Sequence, residues 1–334
     1  MTRPRFLPDN FTLALIATVI IASLIPCHGQ GAVAFGYITN FAVGLLFFLH
    51  GAKLSREAVI AGATHWRLHL VVMLSTFVMF PLLGLLLKPL LSPMVTPELY
   101  MGVLFLCALP STVQSSIAFT AMARGNVPAA ICSASASNLF GIFITPVVAG
   151  LLLGAHGGMN FSMDSVLNIV MQLLLPFIAG QIARKWIGGW VDRNKGMLKF
   201  VDQGSILLVV YTAFSEAVIQ GLWHNTPLPA LGALLIVNAI LLAVVLLLTT
   251  YGSRVLGFNK EDEIVIVFCG SKKSLASGVP IANVLFAGHA VGAIVLPLML
   301  FHQIQLMTCA VLAQRYARRP HPEAPVAAEI IAKS

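Results

Sequence analysis

The sequence predicts an all-α membrane protein of ten transmembrane helices in two inverted five-helix repeats. Three observations predict it. The chain is 58% hydrophobic and 10% charged, with a mean hydropathy of +0.91, whereas a soluble domain carries about a quarter charged residues. Ten apolar runs reach spanning length. Of the basic residues other than Lys272 and Lys273, 17 fall in or beside alternate connections or at the termini and one falls elsewhere.

In order, the runs lie near residues 11–28, 33–52, 67–89, 98–122, 127–154, 163–184, 203–223, 228–252, 262–286 and 288–314. Arg3 and Arg5 ahead of the first run look like a secretory signal, and Cys27 like a lipoprotein cleavage cysteine. Leu24, Ile25 and Pro26 are too bulky for a cleavage site, so the first run reads as a retained helix. The connections are short, and no composition shift marks a soluble domain. Residues 1–160 then form the first repeat, 161–319 the second, and 320–334 a mobile cytoplasmic tail.

The orientation follows from the basic residues. Arg3 and Arg5 precede the first run; Lys53, Arg56 and Arg67 lie in the second connection and Arg124 in the fourth. Arg184, Lys185, Arg193, Lys195 and Lys199 lie in the sixth connection, and Arg254 and Lys260 in the eighth. Arg315, Arg318, Arg319 and Lys333 follow the last run, and the odd connections hold only Lys88. Both termini are therefore expected in the cytoplasm. The net charge of +8 describes one membrane face, and the expected partners are the lipid bilayer and a small-molecule substrate, with no nucleic acid. Cys27, Cys107, Cys132, Cys269 and Cys309 are scattered singly, without metal or disulfide spacing, and read as small packing residues.

Two runs are interrupted by polar residues. The ninth contains Ser271, Lys272, Lys273 and Ser274 between Gly270 and Pro280. A lysine at the centre of a spanning helix costs roughly 2.5–3.5 kcal/mol, so two in succession require a broken helix. Unwound backbone survives at that depth only inside protein or along a watery cavity. Adjacent helical residues point about 100° apart, so only a break lets both lysines face one cavity. The fourth run contains Thr112, Gln114, Ser115 and Ser116. Ser116 and Ser274 lie 158 positions apart, close to the offset of 152 between the first and sixth runs.

Several readings of these residues stay open. Lys272 and Lys273 could satisfy helix-end carbonyls, bind an anionic substrate, or stand in for a coupling cation as a tethered charge. Glu216, the one acid expected within the membrane, is expected near one of them, as a stabilising pair or as a titrating group with Lys272. The hydroxyls and amide of 112–116 line a cavity or let helices pack closely. Ser133 and Ser137 share a helical face and suit packing, with Asn138 the exception that reaches the site. His302, Gln303 and Gln305 form an interhelical polar cluster, and His50 sits at an interface. Neither of these two histidines has a ligand partner three or four residues away, so no metal site is expected. No nucleophile elbow, phosphate-binding glycine loop or HExxH motif is present, so an enzyme is not expected.

Three segments carry a resemblance: Pro110–Ala118, Ala123-Arg-Gly-Asn-Val127 and Cys132–Asn138 are similar to the fourth and fifth helices of the bile acid:sodium symporter superfamily. Leu45–Ser55, Leu207–Glu216 and Phe268–Ala276 resemble its SBF-like branch of bacterial inner-membrane proteins. The resemblance extends to about Arg319. It implies that helices 4 and 9 are broken and cross near the midplane, with helices 1, 2, 6 and 7 forming a panel that moves against a core of the others. It implies multi-pass residence in a bacterial inner membrane. It also brings sodium as the expected coupling ion, which the residues present argue against. Sodium-coupled members carry a glutamate and a glutamine where this chain has Val267 and Ser271, and a serine-asparagine pair where it has Ser115 and Ser116. The neighbouring Lys272 would repel a cation by about 4 kcal/mol at 4 Å with an effective dielectric near 20.

The expected function is secondary transport of an organic anion or similar small solute by alternating access. The expected substrate-binding residues are Lys272, Lys273, Ser271, Ser274, Thr112, Gln114, Ser115, Ser116 and Asn138. The alternative is a non-transporting membrane regulator of ion (calcium) homeostasis, implied by eukaryotic relatives of the branch. An arsenite exporter would carry a cysteine after Pro110, where this chain has Ser111.

Overall fold

The computed structural model describes residues 10–53, 65–91, 93–154, 163–219, 221–225, 227–286 and 291–319. The expected tail at 320–334 and the boundary between repeats at 160/161 lie outside these residues, as do Arg3, Arg5, Arg56 and Lys333. The described residues are helical, with no strand among them.

We number the longer helices α1 (Asn10–Leu24), α2 (Gln30–Lys53), α3 (Trp66–Leu86), α4 (Pro97–Ala108), α5 (Gln114–Met122) and α6 (Val127–Gly154). There follow α7 (Met163–Arg193), α8 (Lys195–Ile219), α9 (Leu228–Val255), α10 (Lys260–Gly270), α11 (Leu275–Leu285) and α12 (Val291–Ala317). Seven stretches are long and apolar enough to cross a bilayer: α2, α3, α6, α8, α9, α10 with α11, and α12. The shorter α1 and α4 are also apolar. The chain is a multi-pass membrane protein.

Local chemistry sets the helix starts. Thr96 caps α4, accepting from the Leu99 amide at 3.4 Å, with Pro97 in the first turn where its missing N–H costs nothing. Asn259 caps α10, accepting from the Asp262 amide at 2.8 Å, and Glu261, Asp262 and Glu263 follow in the first turn, where the helix dipole favours acids. Asn126 accepts from the Ala129 amide at 3.1 Å at the start of α6.

The helices can be described as two groups, which also meet where α7 and α8 pack on α6, α11 and α12. In one, α2 lies along α7 and against α8, and α8 also carries α1. Gly51 and Gly180 make the α2–α7 contact possible: a Cβ at Gly51 would collide with the Phe177 carbonyl, and one at Gly180 with the Phe48 carbonyl. The Lys53–Asp202 ion pair ties α2 to α8. The other group is α3–α6 and α9–α12, built around Phe80, Phe105, Phe286 and Phe301. Phe80 meets Phe301, and Phe105 meets Phe286, edge to face at 6.0 and 5.2 Å.

Candidate functional site

Both expected interruptions are real breaks. Between α4 and α5 the chain leaves the helix at Leu109, which is extended (φ −75°, ψ 155°) as the residue before a proline tends to be. Between α10 and α11 it leaves at Ser271 and re-enters at Ser274, whose hydroxyl accepts from the Ser277 amide at 3.1 Å as the cap of α11. The two breaks touch. The Ser274 amide donates to the Pro110 carbonyl at 2.9 Å, and the Ser116 hydroxyl donates to the Phe268 carbonyl at 3.0 Å.

A break releases carbonyls that must find donors in a dry interior. Ala108 takes the Thr145 hydroxyl at 3.0 Å and Ser111 the Asn138 amide at 2.6 Å, while the Ser111 amide finds the Ser137 hydroxyl at 3.0 Å. In the other break, Gly270 takes the Ser75 hydroxyl at 2.8 Å. Gln305 closes on Lys273 from both sides, accepting from its amide at 2.9 Å and donating to its carbonyl at 3.0 Å. An amide side chain on the following helix thus staples each break: Asn138 on α6 for the first, Gln305 on α12 for the second.

The lysine heads diverge rather than face one cavity, and both residues are 0% exposed. Lys273 Nζ donates to the carbonyls of Cys107 at 2.9 Å, Leu109 at 2.7 Å and Thr76 at 2.8 Å, 4.1 Å from the centre of the Phe80 ring. Three acceptors for three N–H groups is what an ammonium requires. The Thr76 carbonyl is free for a local reason. Residues Ser75–Met79 of α3 form a π-turn in which the Phe80 amide bonds to Ser75. In that register the Thr76 carbonyl points to residue 81, and Pro81 has no N–H to give.

Lys272 Nζ lies 3.8 Å from the centre of the Phe119 ring and 5.6 Å from that of Phe268, with no hydrogen-bond partner among the described residues. A desolvated cation–π contact returns about 2 kcal/mol, whereas taking an ammonium out of water costs several kcal/mol. This charge is not offset locally.

The remaining expected residues divide by exposure. Thr112 is buried, its hydroxyl 2.7 Å from that of Ser115 and 3.0 Å from that of Ser116. Ser271, Ser274 and Ser116 are buried, Ser115 and Asn138 are half-buried, and Gln114 is exposed. The Ser277 hydroxyl, bonded to Asn138 at 2.6 Å, joins the two breaks again. Glu216 is exposed three residues before the end of α8 and is not among the partners of either lysine, which bind carbonyls and rings instead. His302 meets Gln305 at 2.9 Å, so the polar cluster on α12 supports the second break. Thr76, Phe80 and Phe119 escaped the sequence reading, because only the fold brings them to the lysines; Pro81 within an apolar run was the one legible sign.

Comparison with known proteins gives a consistent picture. The model of the SBF-like CPA transporter family matches residues 9–318. A Pseudomonas aeruginosa protein named "Uncharacterized protein PA2026" is 70% identical over 329 residues, covering 98% of this chain and 99% of its own. The "Putative symporter YfeH" of Escherichia coli (strain K12) is 57% identical over 311 residues, 93% of each chain. The rat "Sodium/bile acid cotransporter 7" is 30% identical over 317 residues, 92% of each chain.

Proposed function

The chain belongs to the SBF-like CPA transporter family, and on that premise we propose that it is a secondary transporter moving an organic anion, or a similar small solute, by alternating access. One observation carries the choice of an anion: four positive elements converge where the breaks cross. Helices α5 and α11 both begin there, each presenting the positive end of its dipole. Lys272 and Lys273 add two buried ammonium groups whose partners among the described residues include no carboxylate. The lysines act by field rather than by contact, since a low-dielectric surround carries their potential outward. Direct hydrogen bonds to the solute come from Gln114 and Ser115, which are not fully buried, whereas the Asn138 amide is spent on the Ser111 and Ala134 carbonyls.

In this reading α4 with α5 counts as the fourth span and α10 with α11 as the ninth, making ten, with residues 1–160 and 161–319 as inverted repeats. The reciprocal crossing bonds and the paired amide staples support that count. Both termini lie in the cytoplasm of a bacterium, and the membrane is the inner one, as the basic residues and the two bacterial relatives suggest. Lys273 occupies its three carbonyls as a tethered cation, so transport does not need sodium.

The test is uptake into proteoliposomes of three radiolabelled probes: a bile acid, a dicarboxylate and a neutral polyol. An anion is accumulated or exchanged, and replacing external sodium by potassium leaves its rate unchanged. Flux of the polyol alone, or strict dependence on sodium, contradicts the reading.

A further inference from the structure

The basic connections of this protein are not alike. Around α10 the charges are matched inside the fold: Arg254 and Lys260 pair with Glu263, and Arg319 pairs with Glu261. Lys53 likewise pairs with Asp202. The turn between α7 and α8 is different. Residues 184–199 hold Arg184, Lys185, Arg193, Lys195 and Lys199 against a single acid, Asp192. That acid takes Arg184 at 3.2 Å and Lys195 at 3.5 Å. Lys185, Arg193 and Lys199 are exposed, with no acid partner among the described residues.

The surface among these cations is aromatic. Val191 of α7 and Leu198 of α8 are buried with Leu49 and Ala52 of α2. The outward side carries Trp186 and Trp190 on α7 and Phe200 on α8, with Trp186 72% and Phe200 73% exposed. Lys185 Nζ stands 6.0 Å from the centre of the Trp186 ring. Bare indoles interleaved with lysines suit one medium, the headgroup layer, where rings meet acyl chains and cations meet phosphates. The depth agrees. Helix α7 has 31 residues, a length of about 46 Å, whereas about 20 residues cross the hydrocarbon. The uncharged stretch 165–183 supplies that crossing, which leaves residues 184–193 at headgroup level.

A notch lies among the unpaired cations. Lys185, Gly189 and Arg193 follow one another at i, i+4 and i+8, forming the row next to Ile182, Trp186 and Trp190. All six residues are exposed. Glycine weakens a helix interior relative to alanine, and at Gly51 and Gly180 the close approach of another backbone requires it. Gly189 has no such reason: within 4 Å, a Cβ there would meet only Arg193 Nη1, at 3.8 Å. What the missing side chain leaves is open space between two unpaired cations and beside two indoles.

We propose that Lys185, Gly189 and Arg193, with Trp186 and Trp190 beside them, seat the headgroup phosphate of an anionic phospholipid from the leaflet on the basic side. Lys199 and Phe200 extend the seat beyond the turn at Asn194. The two cations take the phosphate, and the indoles take the glycerol and upper acyl carbons, for which a soluble anion has no use. The seat is remote in sequence from both breaks and holds whatever the protein carries.

The experiment is fluorescence quenching of the full chain reconstituted in bilayers. Trp66→Phe and Trp223→Phe leave Trp186 and Trp190 as the only indoles. Phosphatidylglycerol with brominated acyl chains is mixed into phosphatidylcholine, and the bromine is then moved to the phosphatidylcholine. The ratio of the two quenching constants gives the preference for the anionic lipid. A preference of about five-fold or more is expected, the factor that one surface lysine contributes. Lys185→Gln with Arg193→Gln brings the ratio to about one, the value for no preference. Gly189→Leu lowers it severalfold with every charge kept, and Gly189→Ala does so to a smaller extent, should the leucine variant fail to fold. A chain that keeps only Trp223 shows no preference. Inorganic phosphate, against sodium chloride of equal ionic strength, leaves the ratio unchanged. A ratio near one in the parent chain, or a ratio unchanged in the double variant or in the glycine variants, overturns the seat. An equal preference at Trp223 reduces it to bulk charge, and displacement by inorganic phosphate assigns it to a soluble anion; either result overturns the proposal.

Discussion

Lys272 and Lys273 are neighbours in sequence and opposites in energetics. Lys273 has three charge-assisted hydrogen bonds, each worth about 1.5–3 kcal/mol, and removing it would leave three buried carbonyls without donors. Lys273→Met is therefore expected to destabilise the protein by about 3–5 kcal/mol, as loss of one partner of a buried charged contact does, read as a clear drop of the melting temperature in detergent. Lys272 has no hydrogen-bond partner among the described residues to abandon. Lys272→Met should leave the melting temperature unchanged or raise it, by up to about 1–4 kcal/mol in stability if buried ion-pair replacements are a guide, while flux falls at least ten-fold. A pair of variants that lose stability equally would mean that both lysines are structural. The sequence placed two ammonium groups at a break; it could not say that one is satisfied and the other is not, because their partners lie up to 197 positions away.

Among elements, α3 and α12 matter most for the site although neither is broken. The π-turn of α3 exposes the Thr76 carbonyl because Pro81 supplies no donor. Pro81→Ala returns an N–H to that register and competes with Lys273. We expect a transport rate reduced severalfold with the helix itself intact by circular dichroism. Gln305 on α12 answers both backbone groups of Lys273, so Gln305→Leu, of similar size, leaves an amide and a carbonyl orphaned in a dry interior. That should cost about 1–3 kcal/mol per group, seen as a lowered melting temperature. The breaks were readable beforehand from Thr112, Gln114, Ser115 and Ser116 and from the density of Gly, Ser and Lys around 270–277. The staples were not, since Asn138 and Gln305 look like ordinary polar residues in apolar helices until the fold sets each against a released carbonyl.

For the whole molecule, the two groups of helices differ in how they are held together. The group of α1, α2, α7 and α8 relies on close helix contact at Gly51 and Gly180 and on the Lys53–Asp202 pair, whereas the other is knitted by the crossing bonds. Gly180→Leu is expected to push α2 from α7 and to abolish accumulation of the protein in the membrane, read by immunoblot of membrane fractions. Composition, hydropathy and basic-residue placement were enough to establish by themselves a multi-pass helical membrane protein with two interrupted runs, because burial in lipid imposes its rules on every residue along the chain. Which carbonyls hold Lys273 and why Lys272 is left on aromatic rings were decided only by tertiary structure. Those depend on groups far apart in sequence meeting in a medium without water, where each donor must be matched to a particular acceptor.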